Sequence, residues 1–335
     1  DQGQGGKFLF VGPDYEGELP EGYFVFRSPT NGNAFLMRGF LVDGDPQPGV
    51  ESIKKHVRVY PLSRADSPPG QKFINASDLE INTVHGNDFT FFEELNQIVQ
   101  EEPAESLDPE LLGLFASIGI KKGQPFEPDE RMKKILTEAA AVGNATVRAF
   151  VFPGRDKAAY QYDNRYWKTA FIGGSHEFLN DGARLLDARA FFYYYATFTT
   201  PAMILKVPGA GAQYSMATVD AGGNPLDGSK NYRLYLPPDV PAKDFWSVVV
   251  YDNQTRSMLQ TDQPYPSLMS QRGVQANSDG SYDIYFGPEA PAGKESNWIQ
   301  TIPGKGWNVI IRFYGPLEPW FDQTWRPDDI ELVNN

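Results

Sequence analysis

The sequence predicts a multidomain, mainly β protein with a small helical insert, and three observations carry that prediction. Residues 214–333 read as a succession of short segments rich in β-branched and aromatic types, with 246–252, 281–286 and 307–314 the strongest, each bounded by Gly, Pro, Asn or Asp. That is the signature of a β-sandwich. Between Asp88 and Val147 the apolar period changes from two to about 3.6, which sets a helical block apart from the strand-like regions on either side. At 335 residues the chain is long enough for two or three separate cores.

Taken in order, residues 7–11 and 22–27 alternate apolar and polar positions around Gly12-Pro13 and Gly22, and 34–42 and 56–62 continue the pattern. All four are expected to be strands of a first sheet. Behind Asp88 as N-cap, Phe91, Leu95, Ile98 and Val99 mark one helix face. A second helix is expected from Asp108-Pro109 through Ile118, and a third from Glu127-Pro128-Asp129 towards Val147. Residues 148–152 read as a strand returning to the first sheet, followed by the aromatics Tyr160, Tyr162, Tyr166 and Trp167. A further helix is expected from about Asp181 to Pro201. Its five consecutive aromatics, Phe191 to Tyr195, cover all sides of the helix and predict burial between domains. The resulting division is 1–78 with 145–165, then 79–144, a linking helix in 166–200, and the sandwich in 201–335. Turns are signalled by Gly222-Gly223-Asn224 and by Asp279-Gly280, a pair suited to a tight hairpin.

With 43 acidic and 30 basic residues the net charge is −13, which repels phosphate backbones and anionic membrane surfaces, so nucleic acid is not an expected partner. Cysteine is absent, which removes disulfides, zinc thiolates and a thiol nucleophile. No apolar run reaches the roughly 20 residues of a membrane-spanning helix. The first residue is Asp1, and the first sheet begins abruptly. The front portion of the first sandwich is therefore expected to be missing, with an upstream fragment of the same protein as a partner. Asn-x-Ser/Thr sequons begin at Asn75, Asn144 and Asn253.

Chemistry-bearing motifs are sparse. The three histidines, His56, His85 and His176, share no metal-ligand spacing, and no metal or cofactor is expected. There is no nucleophile elbow and no phosphate-binding glycine loop. His176 follows a glycine pair and precedes Glu177, so it reads either as a site imidazole or as a turn histidine. Asp181, Asp187, Asp220, Asp227, Asp252 and Asp262 lie at strand ends or turns where acid–base pairs can form, against a background of many carboxylates. Tyr166, Trp167, Trp246 and Tyr251 belong to an aromatic set suited either to stacking on a sugar or to packing. Arg27 and Asn31, in the run Arg27-Ser28-Pro29-Thr30-Asn31, form with Arg38 a polar cluster able to hold a carboxylate or to tie a turn.

Val11-Gly12-Pro13, Leu19-Pro20, Arg27-Ser28-Pro29-Thr30-Asn31 and Arg38 resemble the later part of domain of unknown function 1254. Leu226-Asp227-Gly228, Tyr232-Arg233-Leu234, Phe245-Trp246-Ser247-Val248, Tyr251-Asp252, Asn297-Trp298, Arg312-Phe313-Tyr314 and Trp325-Arg326-Pro327 resemble its usual partner, domain of unknown function 1214. The resemblance implies an immunoglobulin-like sandwich, a small helical subdomain and a C-terminal jelly-roll-like β-sandwich. It carries over no activity and no catalytic residues.

The leading expectation is a periplasmic or secreted protein that binds a polar or carbohydrate ligand in an interdomain cleft. Its candidate residues are Arg27, Asn31, Arg38, Tyr166, Trp167, His176, Trp246 and Tyr251. One alternative is a hydrolase or lyase acting on such a ligand through carboxylates and His176. The other is a structural module that assembles into a homo-oligomer.

Overall fold

The computed structural model describes residues 5–333 other than 38, 40, 41, 44, 78, 80, 81, 83, 153, 155 and 197. Two compact units divide the chain, Asp1–Ala140 and Ala141–Asn335.

In the first unit β1 (Phe8–Val11) and β2 (Phe24–Arg27) form where the alternation predicts strands. They pair in parallel, Phe8 opposite Phe24 and Phe10 opposite Phe26, with ring centroids 5.3 and 5.5 Å apart. Among the described residues this two-stranded sheet is what stands of the immunoglobulin-like sandwich expected over 1–78. The strand expected over 34–42 is not found in its described part, where Val42 makes only an isolated bridge to Asp45; residues 38, 40 and 41 lie outside the described residues. The strand expected over 56–62 is also corrected, because His56 closes a helix, α1 (Gln47–His56). Pro48 in the first turn needs no N–H partner there, and Lys54, Lys55 and His56 face the negative end of the helix dipole. Val59, placed in that strand, donates its N–H to the Gln71 side chain at 2.9 Å rather than to a ladder.

The three predicted helices are present. In α2 (Thr90–Glu101) the Asp88 carboxylate accepts from the Thr90 N–H at 2.9 Å and from its hydroxyl at 2.7 Å, as an N-terminal cap should. Asp108 does the same for α3 (Pro109–Ser117), accepting from the Glu110 N–H at 2.8 Å. Helix α4 runs from Glu130 to Val151, so the strand expected over 148–152 is helical up to Val151. The β-branched and aromatic residues there favour a strand by propensity. Packing overrides that preference: Val151 is fully buried and Val147 and Phe150 pack against the same apolar cluster.

In the second unit the helix expected from Asp181 starts later. Asp181 and Gly182 both have positive φ, 48° and 79°, and turn a small hairpin between β3 (Leu179–Asn180) and β4 (Ala183–Arg184). Helix α5 then spans Leu186–Tyr195, burying Phe191, Phe192 and Tyr194 while Tyr193 stays 41% exposed.

The predicted run of strands follows: β5 (Ala212–Ala217), β6 (Asn231–Leu236), β7 (Ala242–Asp252), β8 (Ser267–Met269), β9 (Tyr282–Gly287), β10 (Trp298–Gln300), β11 (Trp307–Pro316) and β12 (Glu331–Val333). They make two four-stranded sheets, ordered β10-β9-β6-β12 and β5-β11-β7-β8. Alternate residues of both sheets meet in one core: Leu234 and Ile284 from one, Val248, Val250, Ile311 and Phe313 from the other, all fully buried. The intervening positions of the second sheet face outward. There Met216 of β5 and Ile310 of β11 join a second apolar cluster with Phe191 and Phe192 of α5. The α5 layer therefore covers part of the outer face of the β5-β11-β7-β8 sheet.

Candidate functional site

On that outer face, beyond Met216 and Ile310, the alternation of β11 brings Arg312 and Tyr314 outward. In register Arg312 stands between Tyr214 of β5 and Ser247 of β7, and Tyr314 between Ala212 and Phe245. Tyr251, opposite Asn308 in the same register, accepts through its hydroxyl a hydrogen bond from Arg312 Nη2. The guanidinium lies 5.6 Å from the Tyr214 ring centre and 5.8 Å from that of Tyr251. The side chain of Tyr314 is a further hydrogen-bond partner. Tyr314 itself stacks on Phe245 at 4.1 Å.

Among the described residues no carboxylate forms an ion pair with Arg312; the ion pairs belong to other basic side chains, such as Arg165 with Asp328 and Arg233 with Glu331. A guanidinium keeps its charge at any ordinary pH and offers five N–H donors in a planar fork. Here ring faces and phenol hydroxyls stabilise it, and no carboxylate among the described residues neutralises it. Burial pushes the Tyr251 phenol above its ordinary value, with Arg312 pulling the other way, so the phenol stays neutral at physiological pH. The site has one fixed positive charge in an aromatic frame, suited to an anion and lacking an acid–base pair.

Two other polar clusters have structural work. Lys168 is fully buried, and its ammonium donates to Val151 O at 2.8 Å, Phe152 O at 3.3 Å and Thr218 Oγ1 at 2.8 Å. It closes the carbonyl end of α4, where a cation is favourable. Burial lowers its pKa to about 8. At the end of β7, Arg148 Nη1 donates to Asn253 O at 2.7 Å, the Tyr194 hydroxyl donates to the same oxygen, and Asn308 Nδ2 donates to Asn253 Oδ1 at 2.8 Å. The sequon asparagine Asn253 is thus buried inside this network.

The residues expected to bind ligand are distributed as follows. Tyr251 belongs to the Arg312 frame. Trp246 and Trp167 are core residues: Trp246 packs its ring on Tyr282 at 4.9 Å, and Trp167 is 0% exposed with its indole N–H on Asp328 O at 2.9 Å. Tyr166 is half-buried, its backbone N–H held by Asp329 at 2.7 Å. His176 is half-buried in the turn between the 3-10 segment Ile172–Gly174 and β3. In the first unit Arg27 is exposed and donates to Tyr15 O at 3.3 Å. Asn31 and Gly32 N–H groups grip the Glu102 carboxylate at 2.6 and 2.8 Å, so this cluster holds a carboxylate of its own chain. Arg38 lies outside the described residues. Among the described residues no group of three or more His, Asp or Glu side chains could hold a metal, and no helix is long and apolar enough to cross a membrane. The sequence reading missed Arg312 as a binding residue, since its signal, an arginine at an outward position between aromatic strands, appears only once the strand pairing is known.

The fold and site define a multi-sheet, β-rich protein whose two four-stranded sheets share a core and carry a caged arginine on one outer face. Residues 211–318, which hold all of the Arg312 frame, match the family described as protein of unknown function DUF1214. Residues 1–61 match the one described as protein of unknown function DUF1254. The chain thus carries a DUF1254 segment followed by a DUF1214 segment. It is similar to the crystal structure of the VPA0106 protein from Vibrio parahaemolyticus, at 22% identity and a TM-score of 0.48, over 99% of this chain and 76% of that one. A putative uncharacterized protein from Burkholderia cenocepacia is 16% identical with a TM-score of 0.29, over 67% of this chain and 48% of that one. No curated protein matches the chain.

Proposed function

We propose that the protein binds a polar ligand carrying an anionic group, such as a carboxylate or a sugar acid, on the outer face of the β5-β11-β7-β8 sheet. One observation carries this reading: Arg312 is framed by Tyr214, Tyr251 and Tyr314 and makes no ion pair with a carboxylate among the described residues. A bound carboxylate supplies the missing charge through a bidentate contact, and the tyrosine rings supply flat surface for the rest of the ligand. The eight strands in two facing four-stranded sheets also support the jelly-roll-like description of the second unit.

The hydrolase or lyase reading gains no such support. Asp220 accepts from the Gly222 and Asn224 N–H groups, Asp227 from Ser229 N–H, and Asp252 from Gln254 N–H and Lys305, so these carboxylates serve as turn staples.

Thermal unfolding with millimolar acetate, glucuronate or glucose tests the proposal. The two anions are expected to raise the midpoint of the wild type by mass action and to leave that of Arg312→Met unmoved, while glucose has little effect on either. Equal stabilisation by glucose, or anion stabilisation that survives in Arg312→Met, contradicts it.

A further inference from the structure

Arg312 stands at a border on its sheet face. Towards the start of β11 the face is closed, because Ile310 and Met216 pack under α5. Towards the end of β11 the next outward row is Ala212, Tyr314 and Phe245, which carries no charged side chain. Past that row the exposed apolar residues Leu317 (38%) and Val207 (48%) flank the sheet end. The chain at Gly209 is tied to Pro316 by a 2.6 Å hydrogen bond, which keeps the Val207 segment beside the end of β11.

We propose that the ligand is an amphiphile: a carboxylate head on Arg312 and an apolar tail laid over Tyr314 and Phe245 towards Leu317 and Val207. The inference rests on the Arg312 reading above and adds the tail. Charge complementarity sets the head, since Arg312 makes no ion pair with a carboxylate among the described residues. The track sets the tail: from Arg312 to Pro316 is four strand residues, about 13 Å at the usual rise, and its first outward row, Ala212, Tyr314 and Phe245, is apolar, with the aliphatic stem of Lys243 beside Gly209 and Gly315 at the far end. A purely polar sugar acid would leave its hydroxyls against Phe245 and Leu317, an unfavourable desolvation. An aliphatic tail gains from covering the same surface.

Calorimetric titration of the full chain with dodecanoate, acetate and glucuronate, below the micellar concentration of dodecanoate, separates head from tail. The expected result is dodecanoate binding at least tenfold tighter than either short acid, with all binding lost in Arg312→Met. In Leu317→Glu, an exposed change that leaves the thermal midpoint in place, dodecanoate is expected to weaken at least fivefold. If all three acids bind alike and need Arg312, the amphiphile inference falls while the anion reading stands. If dodecanoate binds equally well to wild type and Arg312→Met, or no acid binds at all, both fall.

Discussion

Lys168 shows what one buried charge does to this fold. Its ammonium has three oxygen acceptors and no carboxylate, and burial lowers its pKa from 10.5 to about 8. The folded state therefore binds that proton less tightly than the unfolded chain does. Between pH 8 and 10.5 the unfolded chain carries more protons, so this contribution to stability grows as pH rises and is lost as pH falls through about 8. At about 1.4 kcal/mol per pKa unit, the whole span is on the order of 3 kcal/mol. Denaturant unfolding at pH 7.5 and pH 10 should show the wild type gaining stability and Lys168→Met not gaining it. The same gain in both proteins would mean that Lys168 keeps an ordinary pKa. Nothing in the sequence marked this lysine, because its role depends on the end of α4 and the side of β5 meeting around it. Asp88 and Asp108 were legible as caps, since a cap needs only the residues that follow it.

Strands and helices were legible where the local pattern and the packing agree. The sandwich strands and α2, α3 and most of α4 fall where period and bounding residues place them. The exceptions have local causes. At 148–151 burial against the α5 cluster outweighs strand propensity, and at 47–56 prolines in an unremarkable stretch open a helix that no long apolar stripe announces. One loop position has no freedom to vary. A Cβ on Gly228 would stand 2.0 Å from Ile302 O and 2.9 Å from Lys305 O, both backbone atoms held in the turn before β11. Gly228→Ala should cost about 1–3 kcal/mol or more, as overpacking does. Gly113→Ala, on α3 with open space around it, should stabilise by up to about 1 kcal/mol. Paired chemical denaturation curves check both; a harmless Gly228→Ala would mean that the 226–232 and 301–306 turns do not press together as described.

At the scale of the whole molecule, sequence reasoning found the β-rich class and the two family segments, but it found the site only through Tyr251. The aromatic residues it favoured, Trp167 and Trp246, are the ones most deeply buried, because a large ring contributes most to stability in a core. Position on a sheet face separates a core ring from a site ring. Residues 246 and 251 differ by an odd number and so point to opposite faces of β7, a distinction that requires knowing which face is covered. The second unit combines an inner core shared by two sheets, an outer layer of α5 over part of one sheet, and a half-buried Arg312 beyond it that makes no ion pair among the described residues. That partial cover leaves the outer face around Arg312 open for the proposed ligand.

A crystal of the wild type soaked with 4-bromobenzoate tests this account most directly, because bromine locates the ligand by anomalous scattering independently of any functional assay. The expected result is a bromine peak over the Tyr314–Phe245 pair with the carboxylate on the Arg312 guanidinium. A peak elsewhere, or none while Arg312 is found paired with a carboxylate of the chain itself, would contradict it.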